Sequence, residues 1–590
     1  MIHLQLEQRL REAVTKVLPD ANLLSVLVRP CPDPKFGDYQ SNSLMALAKE
    51  RKMNPRQLAT DVLANLDVSD VCEKVEIAGA GFLNFRLKNS AVGAVVATEA
   101  LKTEPFVSKV ERPRTIVIDF SSPNVAKPMH VGHIRSTGIG DSLQRVLRLL
   151  GHKVISDNHI GDWGTQFGKL LLGWKQCLDR AELERDAIAE LERLYKVINA
   201  ECDANPARLE EAKQELVKLQ KGDAENTAIW KEMIRLSQIQ FDEIYKRLGV
   251  NFRYAFGESY YNSRLADLVN DLISKGIASQ SQGAIVVFSD NKLPPKQDPF
   301  LVNRDGEWVP DPAIIHKSDG GFNYMTTDLA TIDYRLERWS PQEIVYVVDD
   351  RQAMHFKKLF YIFERWKPEA AAKVKLVHVG FGKIMGEDGK PFKTRSGDTV
   401  KLAELLDEAE ERALKVVMEK NPELPETTRR EIARVVGLGA VKYADLLPNR
   451  QSDYVFSWDK MLSLQGNTAP YLLYAYARVR SIFRKGGEET SNIEHRTSNI
   501  ELNAPEELAL AKHLLNFGIT LEAVAEDYRP NFLCNYLYEL AGHFARFYEA
   551  CPVLKAEGSE RIARLILCGV TSRVLKQGLD VLGIDVLEQM

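Results

Sequence analysis

The feature that most constrains this chain is a short strand pattern that leads through a loop into a helix pattern. Residues 115–120, TIVIDF, form a β-branched apolar run, and the loop SSPNVAKP follows. A helix pattern then places apolar residues at helical spacing as far as Leu150, where Gly151 supplies a natural stop. Free backbone N–H groups and the positive end of the helix dipole meet at such a junction, so it predicts a phosphate-binding site.

The residues at this junction are HVGH, residues 130–133. Gly132 lets a nucleotide approach the backbone, and the imidazoles of His130 and His133 can donate hydrogen bonds to a phosphate whose charge grows in a transition state. Two unrelated histidines at a helix start would give the same four letters. The rest of the sequence has to decide between these interpretations.

Two later segments resemble strands of the same sheet. Residues 343–350, EIVYVVDD, and residues 373–381, KVKLVHVGF, are almost continuously apolar, as is typical of strands buried on both faces of a parallel sheet. Residues 179–248, which lie between the run 115–120 and these two segments, are highly charged and carry an apolar stripe that includes Tyr195, with a turn-like break at CDANPAR. We expect an open, Rossmann-like α/β domain with an inserted helical hairpin.

The whole chain of 590 residues exceeds one hydrophobic core and predicts a multidomain α/β protein. We expect a small α+β domain in residues 1–112, the Rossmann-like domain in 113–448 with its helical insertion at about 179–248, and a helix bundle in 449–590. No convincing strand pattern occurs after residue 449.

Composition excludes several classes of protein. Hydrophobic residues make up 45% and charged residues 27% of the chain, which is typical of soluble globular proteins. No uninterrupted apolar run of about 18 residues occurs, and the first residues form an amphipathic helix pattern, so we expect a cytoplasmic protein without a membrane segment. The formal net charge of −4 limits any RNA contact to local basic patches. The seven scattered cysteines lack a CxxC pair and predict reduced thiols and no zinc site.

The surroundings of HVGH carry a family resemblance. HVGH is similar to the HIGH signature of class I aminoacyl-tRNA synthetases, and SSPNVAKPMHVGHIRST resembles the longer form found in the arginyl family. GDWGTQFG, residues 161–168, also matches that family. The resemblance extends over essentially the whole chain, because the N-terminal domain, the charged insertion and the closing bundle follow the family's order.

The resemblance implies where ATP binds. His130, Gly132, His133 and Lys390 are implied to bind ATP, with the two histidines acting in catalysis. KPFKTRSG, residues 390–397, occupies the place of the family's KMSKS loop, which implies that Lys393 and Arg395 act in catalysis, although Lys390, Lys393 and Arg395 can share the loop's roles in more than one register. Lys127 is the lysine that the arginyl family places ahead of HIGH as a further catalytic charge, although a loop lysine can also be a solvated surface charge.

A guanidinium substrate needs carboxylates in fork geometry and neutral acceptors around it. Tyr324 and Asp328 are four residues apart and share one face if their segment is helical; Asp328 could instead cap a helix. Gln352 follows a strand at the edge where open α/β sheets bind ligands. The resemblance assigns the substrate arginine to Asp119, Ser122, Asn124, Tyr324, Asp328 and Gln352.

The same resemblance implies tRNA contacts. Tyr471, Tyr474 and Arg478 lie on one face of a predicted helix that can stack anticodon bases, although tyrosines at this spacing are more often core residues. PKFGDYQSN and GFLNFRL resemble the family module that binds the tRNA elbow, and Asn84 within it is a further candidate that could also approach the arginine pocket.

The expected function is ATP-dependent ligation of L-arginine to its tRNA through an arginyl-adenylate, in protein synthesis. We expect ATP with Mg²⁺, no zinc, no DNA, no membrane and a monomer. Three alternatives stay open: a cysteinyl-tRNA synthetase, a non-catalytic tRNA-binding paralogue, and another nucleotidyltransferase with an HxGH site. The first would need a thiolate-rich zinc site that this cysteine spacing does not supply.

Overall fold

The computed structural model describes residues 1–318, 320–392, 399–487 and 500–590. They form two units. The first consists of Met1–Lys109, Pro425–Tyr443 and Asp459–Met590, and the second of Val110–Leu424 and Ala444–Trp458. The domain boundaries expected after residues 112 and 448 stay predictions.

The N-terminal part of the first unit has the expected mixed α+β structure. Its first helix is amphipathic, with Leu6, Leu10 and Val14 fully buried on one face. Four strands form an antiparallel sheet in the order β1-β2-β4-β3. The elements are α1 (Ile2–Val17), β1 (Arg29–Pro30), β2 (Tyr39–Ser41), α2 (Ser43–Arg51), α3 (Pro55–Leu63), β3 (Cys72–Ala78), β4 (Phe82–Leu87) and α4 (Asn89–Ala100).

The second unit contains the predicted α/β domain. In chain order it is built from β5 (Thr115–Phe120), α5 (Gly132–Leu149), β6 (Lys153–Asp157), α6 (Gln166–Cys177), α7 (Arg180–Arg185), α8 (Ala187–Ala204), α9 (Pro206–Gln220), α10 (Ala224–Leu248), α11 (Asn262–Ser274), β7 (Ser279–Ser281), β8 (Ala284–Val287), β9 (Leu301–Arg304), β10 (Glu307–Pro310), β11 (Ala313–His316), α12 (Tyr324–Trp339), β12 (Glu343–Val347), α13 (Ala353–Trp366), α14 (Pro368–Ala371), β13 (Lys375–His378), β14 (Ile384–Met385) and α15 (Leu402–Lys420).

A parallel sheet in the order β13-β12-β5-β6 forms the centre of this unit. It uses all three apolar runs that the sequence analysis assigned to strands. The chain passes from β5 to β6 on one side, whereas β12 joins β5 on the other side. The order therefore reverses beside β5, and open α/β sheets bind ligands in the crevice at the carboxyl ends of such strands. The segment around HVGH begins at this point.

The insertion is helical as expected, but the prediction of a two-helix hairpin is wrong. Residues 180–248 form four helices, α7 to α10. Each begins at a side chain that caps free backbone N–H groups: Asp179, Asp186, Asn205 and Asp223. The break at CDANPAR marks only one of these starts, so the single visible break understates the number of helices.

The carboxyl-terminal part is mainly a helix bundle in the first unit. The expectation that no strand follows residue 449 is wrong, because a two-residue strand pairs in parallel with β14 in the second unit. The pairing is between backbones and needs no strand-length apolar pattern. The remaining elements are α16 (Glu426–Leu446), β15 (Tyr454–Val455), α17 (Trp458–Met461), α18 (Ala469–Gly486), α19 (Pro505–Leu514), α20 (Phe517–Asp527), α21 (Asn531–Ala550) and α22 (Gly558–Val581).

One stretch in the described part of the chain, Pro505–Asp527, is apolar and long enough in total to cross a membrane. The structure divides it into α19 and α20, of 10 and 11 residues. A helix of that length extends about 15 Å, half the thickness of a bilayer core. Half of its most apolar 18-residue window is buried in the protein, as in core helices of soluble proteins. All seven cysteines are unpaired.

Candidate functional site

The loop after β5, residues 121–133, is called the signature loop below. Ser121, Ser122 and Ala126 have φ angles of 74°, 48° and 60°, a left-handed conformation that residues other than glycine adopt at a cost in energy. Their backbone N–H groups donate to Ser136 Oγ at 2.8 Å, Asn158 Oδ1 at 3.0 Å and Ser237 Oγ at 2.9 Å, respectively. Side chains from three other segments therefore hold this backbone in place.

His130 and His133 have a defined proton arrangement. The backbone N–H of Gly132 donates to Nδ1 of His130 at 3.1 Å, and the backbone N–H of His130 donates to Nδ1 of His133 at 3.0 Å. A backbone N–H can only donate, so each neutral ring carries its proton on Nε2. Burial lowers the pKa of both rings, that of His133 to about 3. At neutral pH both rings are uncharged Nε2–H donors.

The signature loop pairs with the chain just after the KPFKTRSG segment. The backbone N–H of Val131 donates to the carbonyl of Val400 at 2.9 Å, and that of Leu402 donates to the carbonyl of Met129 at 2.8 Å. Lys390 is exposed ahead of this pairing, in a turn where its backbone N–H donates to Asp388. The predicted catalytic residues Lys393 and Arg395 lie outside the described residues.

Lys127 contacts the helical insertion. Its Nζ lies 5.2 Å from the centre of the Tyr195 ring in α8, within the range of a cation–π interaction. The predicted catalytic lysine is therefore held by an aromatic ring of the insertion.

Tyr324 and Asp328 occupy the first two turns of α12, so the helix on which their pairing depends is present. His355 Nε2 lies 2.6 Å from Asp328 Oδ2, and the His355 ring packs 4.7 Å from the ring of Tyr324. On the other side, His159 Nε2 is 3.9 Å from Asp328 Oδ1. Tyr324 is 57% exposed and can still contact a ligand.

Glu258 is a second carboxylate near Asp328 that sequence analysis missed. Burial raises its pKa to about 7, with a smaller lowering by His159 and further raising by the charges of Asp328 and Asp162. Asp162 is fixed by the backbone N–H and the hydroxyl of Ser259. Asp162 follows strand β6, and the segment that carries Glu258 and Ser259 lies at the carboxyl end of the same strand. This is the sheet edge where open α/β folds bind ligands. The position of Asp162 shortly after β6 was an available signal in the sequence, whereas Glu258 follows a helix and had none.

Asp119 is already bound inside the protein. Its Oδ2 accepts a hydrogen bond from Arg335 at 2.6 Å, and the same guanidinium binds Asp157 at 2.9 Å. Arg335 is fully buried. Burial raises the pKa of Asp119, although Arg335 opposes that shift. One Asp119 oxygen, Oδ1, also accepts from the Ser122 hydroxyl at 3.2 Å, so Asp119 connects the buried arginine to the signature loop.

Asn124 and Gln352 lie on two separate loops of the second unit. The backbone around Asn124 pairs with Gly161, and a Cβ at position 161 would lie 2.3 Å from Asn124 Oδ1. Gly161 thus leaves the space that the Asn124 amide occupies. Gln352 is exposed in a short helical turn after β12. Its neighbour Arg351 is near enough to His130 to lower the pKa of that ring further.

The predicted tRNA-binding residues belong to the first unit. In α18, Tyr474 is 47% exposed, Tyr471 is half-buried 5.6 Å from the Tyr538 ring, and the Arg478 guanidinium lies 4.6 Å from the Tyr548 ring. Asn84 is buried in β4. Its predicted approach to the arginine pocket stays a prediction.

No group of three or more histidine, cysteine, aspartate or glutamate side chains suited to hold a metal ion occurs in residues 1–318, 320–392, 399–487 and 500–590. The described side chains thus include hydrogen-bond donors suited to a phosphate, and carboxylates, but no preformed metal site.

Three family models match successive parts of the chain. The model described as "Arginyl tRNA synthetase N terminal domain" matches residues 4–87, that of "tRNA synthetases class I (R), catalytic domain" matches residues 96–458, and that of "DALR anticodon binding domain" matches residues 472–590. Together they extend over most of the sequence.

Similar whole proteins have the same organisation. The chain is 45% identical to the arginine–tRNA ligase of Picosynechococcus sp., with 99% of each chain covered, and 45% identical to that of Laribacter hongkongensis, with 97% of each covered. Solved arginyl-tRNA synthetases from Plasmodium falciparum and Thermus thermophilus superpose with TM-scores of 0.82 and 0.83 at 28% and 26% identity. Both superpositions cover 100% of this chain, with 99% and 100% of the respective neighbour.

Proposed function

The chain belongs to the class I arginyl-tRNA synthetases, and from that premise we propose which residues bind ATP, arginine and tRNA. The enzyme joins L-arginine to its tRNA in two steps. The arginine carboxylate attacks the α-phosphate of ATP, which forms arginyl-adenylate and releases pyrophosphate. A terminal ribose hydroxyl of the tRNA then attacks the adenylate carbonyl and releases AMP.

The phosphate side of the reaction falls to the signature loop and the KPFKTRSG segment. His130 and His133 donate Nε2–H hydrogen bonds to the α-phosphate as its charge grows, while Gly132 gives ATP room against the backbone. Lys127, Lys390, Lys393 and Arg395 supply positive charge to the triphosphate. ATP enters as its magnesium complex, with the phosphates providing most of the magnesium ligands.

The arginine pocket is formed around Asp328 and Glu258. The observation that carries this proposal is that two carboxylates lie near each other in a partly buried site: burial and, to a smaller extent, the charge of Asp328 raise the pKa of Glu258 to about 7, and a bound cation would favour the ionised form of both acids. The guanidinium of arginine fits two carboxylates in a fork arrangement. Tyr324, Ser122, Asn124 and Gln352 complete the contacts, and Asp119 acts from beneath the loop.

Recognition of tRNA is assigned to Tyr471, Tyr474, Arg478 and Asn84 in the first unit. In this assignment residues 1–112 bind the tRNA elbow, residues 113–448 carry the chemistry and residues 449–590 bind the anticodon. The enzyme acts in the cytoplasm as a monomer without resident zinc, DNA or membrane contact.

The deciding experiment is pyrophosphate exchange with each of the twenty amino acids, with and without tRNA. We expect exchange with arginine alone and only when tRNA is present, because the KPFKTRSG loop departs from KMSKS. Exchange with another amino acid would reject the specificity, and full exchange without tRNA would reject the tRNA requirement.

Within that assay, Asp328→Asn tests the pocket. Loss of a charged hydrogen bond costs about 2–3 kcal/mol, so KM for arginine should rise ~30- to 150-fold while KM for ATP stays constant. Asp333→Asn is the matched control, because Asp333 lies in the same helix but pairs with Lys367. Equal effects of the two substitutions would contradict the assignment of Asp328.

A further inference from the structure

A continuous series of hydrogen bonds runs beneath the signature loop. The backbone N–H of Ser122 donates to Asn158 Oδ1 at 3.0 Å, and Asn158 Nδ2 donates to the Tyr245 hydroxyl at 3.0 Å. That hydroxyl lies 2.8 Å from Ser121 Oγ. The series continues on the far side of Ser121, where Thr137 Oγ1 is 2.9 Å from Ser121 Oγ and 2.7 Å from the carbonyl oxygen of His133.

The proton count gives this series a direction. Each hydroxyl has one proton, and the carbonyl of His133 can only accept. Thr137 therefore donates to His133, which leaves Ser121 to donate to Thr137 and Tyr245 to donate to Ser121. The Asn158 amide supplies the proton that Tyr245 accepts. Every hydroxyl then donates once and accepts once, so the series is fully satisfied from Ser122 to His133.

Among the residues of this hydrogen-bond series, Tyr245 is the one that the helical insertion contributes. It lies in α10, the last helix of the insertion, and is buried against Phe252 with ring centres 4.9 Å apart. Burial raises the pKa of its hydroxyl, which keeps the proton that the series requires. Without this hydroxyl, Ser121 loses a donor and Asn158 loses an acceptor in a buried site.

The insertion also contacts the other half of the signature loop. Ser237, two turns earlier in α10, accepts from the backbone N–H of Ala126, and Tyr195 of α8 lies against Lys127. Ala126, like Ser121, is left-handed. The insertion thus holds two of the three strained residues and the lysine next to one of them.

We propose that Tyr245 is a positioning residue that couples the arginine site to the ATP site by fixing the signature loop between Ser122 and His133. Ser122 is assigned to arginine and His133 to the α-phosphate, so the inference rests on the proposed function. A shift at either end is transmitted to the other because the intervening hydrogen bonds are buried and directional.

The test compares Tyr245→Phe, Ser121→Ala and the double variant in arginine-dependent pyrophosphate exchange with tRNA present. Each single variant should lower kcat/KM for arginine about tenfold, the size expected for one buried hydrogen bond, and the double variant should be no worse than either. Tyr361→Phe is the matched control, because its hydroxyl donates to Asp290 and touches none of these residues. Additive losses would overturn the proposal.

A binding measurement separates positioning from a general loss of structure. The dissociation constant for arginine is measured with and without α,β-methylene-ATP, with tRNA present. In the unmodified enzyme the analogue should tighten arginine binding about fivefold, and this ratio should fall to one in Tyr245→Phe. A fivefold ratio that persists in Tyr245→Phe, or a ratio of one in the unmodified enzyme, would overturn the coupling.

A failure of the assigned site gives a different result. Ser122→Ala and Asp328→Asn would then leave KM for arginine unchanged in the same assay. Normal behaviour of Tyr245→Phe together with impaired Asp328→Asn would reject only the role of Tyr245. The melting temperature and tRNA affinity of Tyr245→Phe should match those of Tyr361→Phe. A lower melting temperature of Tyr245→Phe would assign Tyr245 to folding, and a loss of tRNA affinity alone would assign it to tRNA binding.

Discussion

Pairing with other residues of the protein decides which carboxylates are available to bind a substrate. The sequence places Asp119 near the arginine site because it precedes the signature loop, but its carboxylate binds the buried guanidinium of Arg335. Nothing in the local sequence of either residue indicates this pairing, since it joins β5 to α12 across 216 positions. Glu258 was missed for the same reason. Asp328 was predicted because Tyr324 shares its helix face.

Glu258 gives arginine binding a pH dependence. Its pKa is raised to about 7, so near pH 6.5 much of it is protonated, and a bound guanidinium favours the ionised form. Binding should therefore release a proton, and KM for arginine should fall as pH rises through 7. Calorimetry in two buffers of different ionisation enthalpy measures the release. Glu258→Gln should abolish it, and a buffer-independent heat in the unmodified enzyme would contradict the assignment.

Lys127 should matter to the triphosphate and not to tRNA. Lys127→Ala should lower adenylate formation on the order of 100-fold, because a charged contact to phosphate is lost, while filter binding of tRNA stays unchanged. Lys153→Ala serves as control, since Lys153 is an exposed lysine at the amino end of β6, the opposite edge of the sheet. Parallel losses of activity and tRNA affinity would reassign Lys127.

Among the helices and strands, those with a long residue pattern could be predicted from the sequence, and those defined by one or two residues could not. The apolar run 115–120 coincides with β5 because burial on both faces favours a nearly continuous apolar pattern. The four helices of the insertion were reduced to two because Asp186 and Asp223 act as caps within a uniformly charged stretch. Short strands such as β14 and β15 form by backbone pairing, which leaves no periodic pattern in two residues.

Helix α5 packs on β5 through a glycine. A Cβ at Gly140 would lie 2.2 Å from Phe120, whereas one at Gly138 would meet only Asp445 Oδ2 at 3.8 Å. Gly140→Ala should therefore destabilise the second unit by about 1–3 kcal/mol through overpacking. Gly138→Ala should be neutral or stabilising, because alanine favours the helix. Urea midpoints of the two variants provide the comparison, and equal midpoints would refute the packing argument.

For the whole molecule, the near-neutral charge predicts that RNA recognition depends on particular side chains. Tyr474 is the most exposed of the three predicted anticodon contacts in α18. Tyr474→Ala should weaken tRNA binding by about 1–3 kcal/mol, the value of one stacked base, and leave KM for arginine unaltered. Tyr474→Phe should retain the affinity because it keeps the ring. Similar losses in both variants would show that the hydroxyl, and not stacking, is responsible.

The division of the first unit between distant segments has a consequence during synthesis on the ribosome. Residue 425 emerges more than 300 residues after residue 109, a delay of roughly 15–60 s at about 5–20 residues per second. Tyr39 meets its partner Asn516 later still, and the carbonyl of Ala100 waits for Arg573. Residues 110–424, the larger part of the second unit, can begin to fold during this interval. The surfaces of residues 1–109 that later contact residues 425–443 and 459–590 stay uncovered meanwhile, so we expect chaperones to engage them during synthesis.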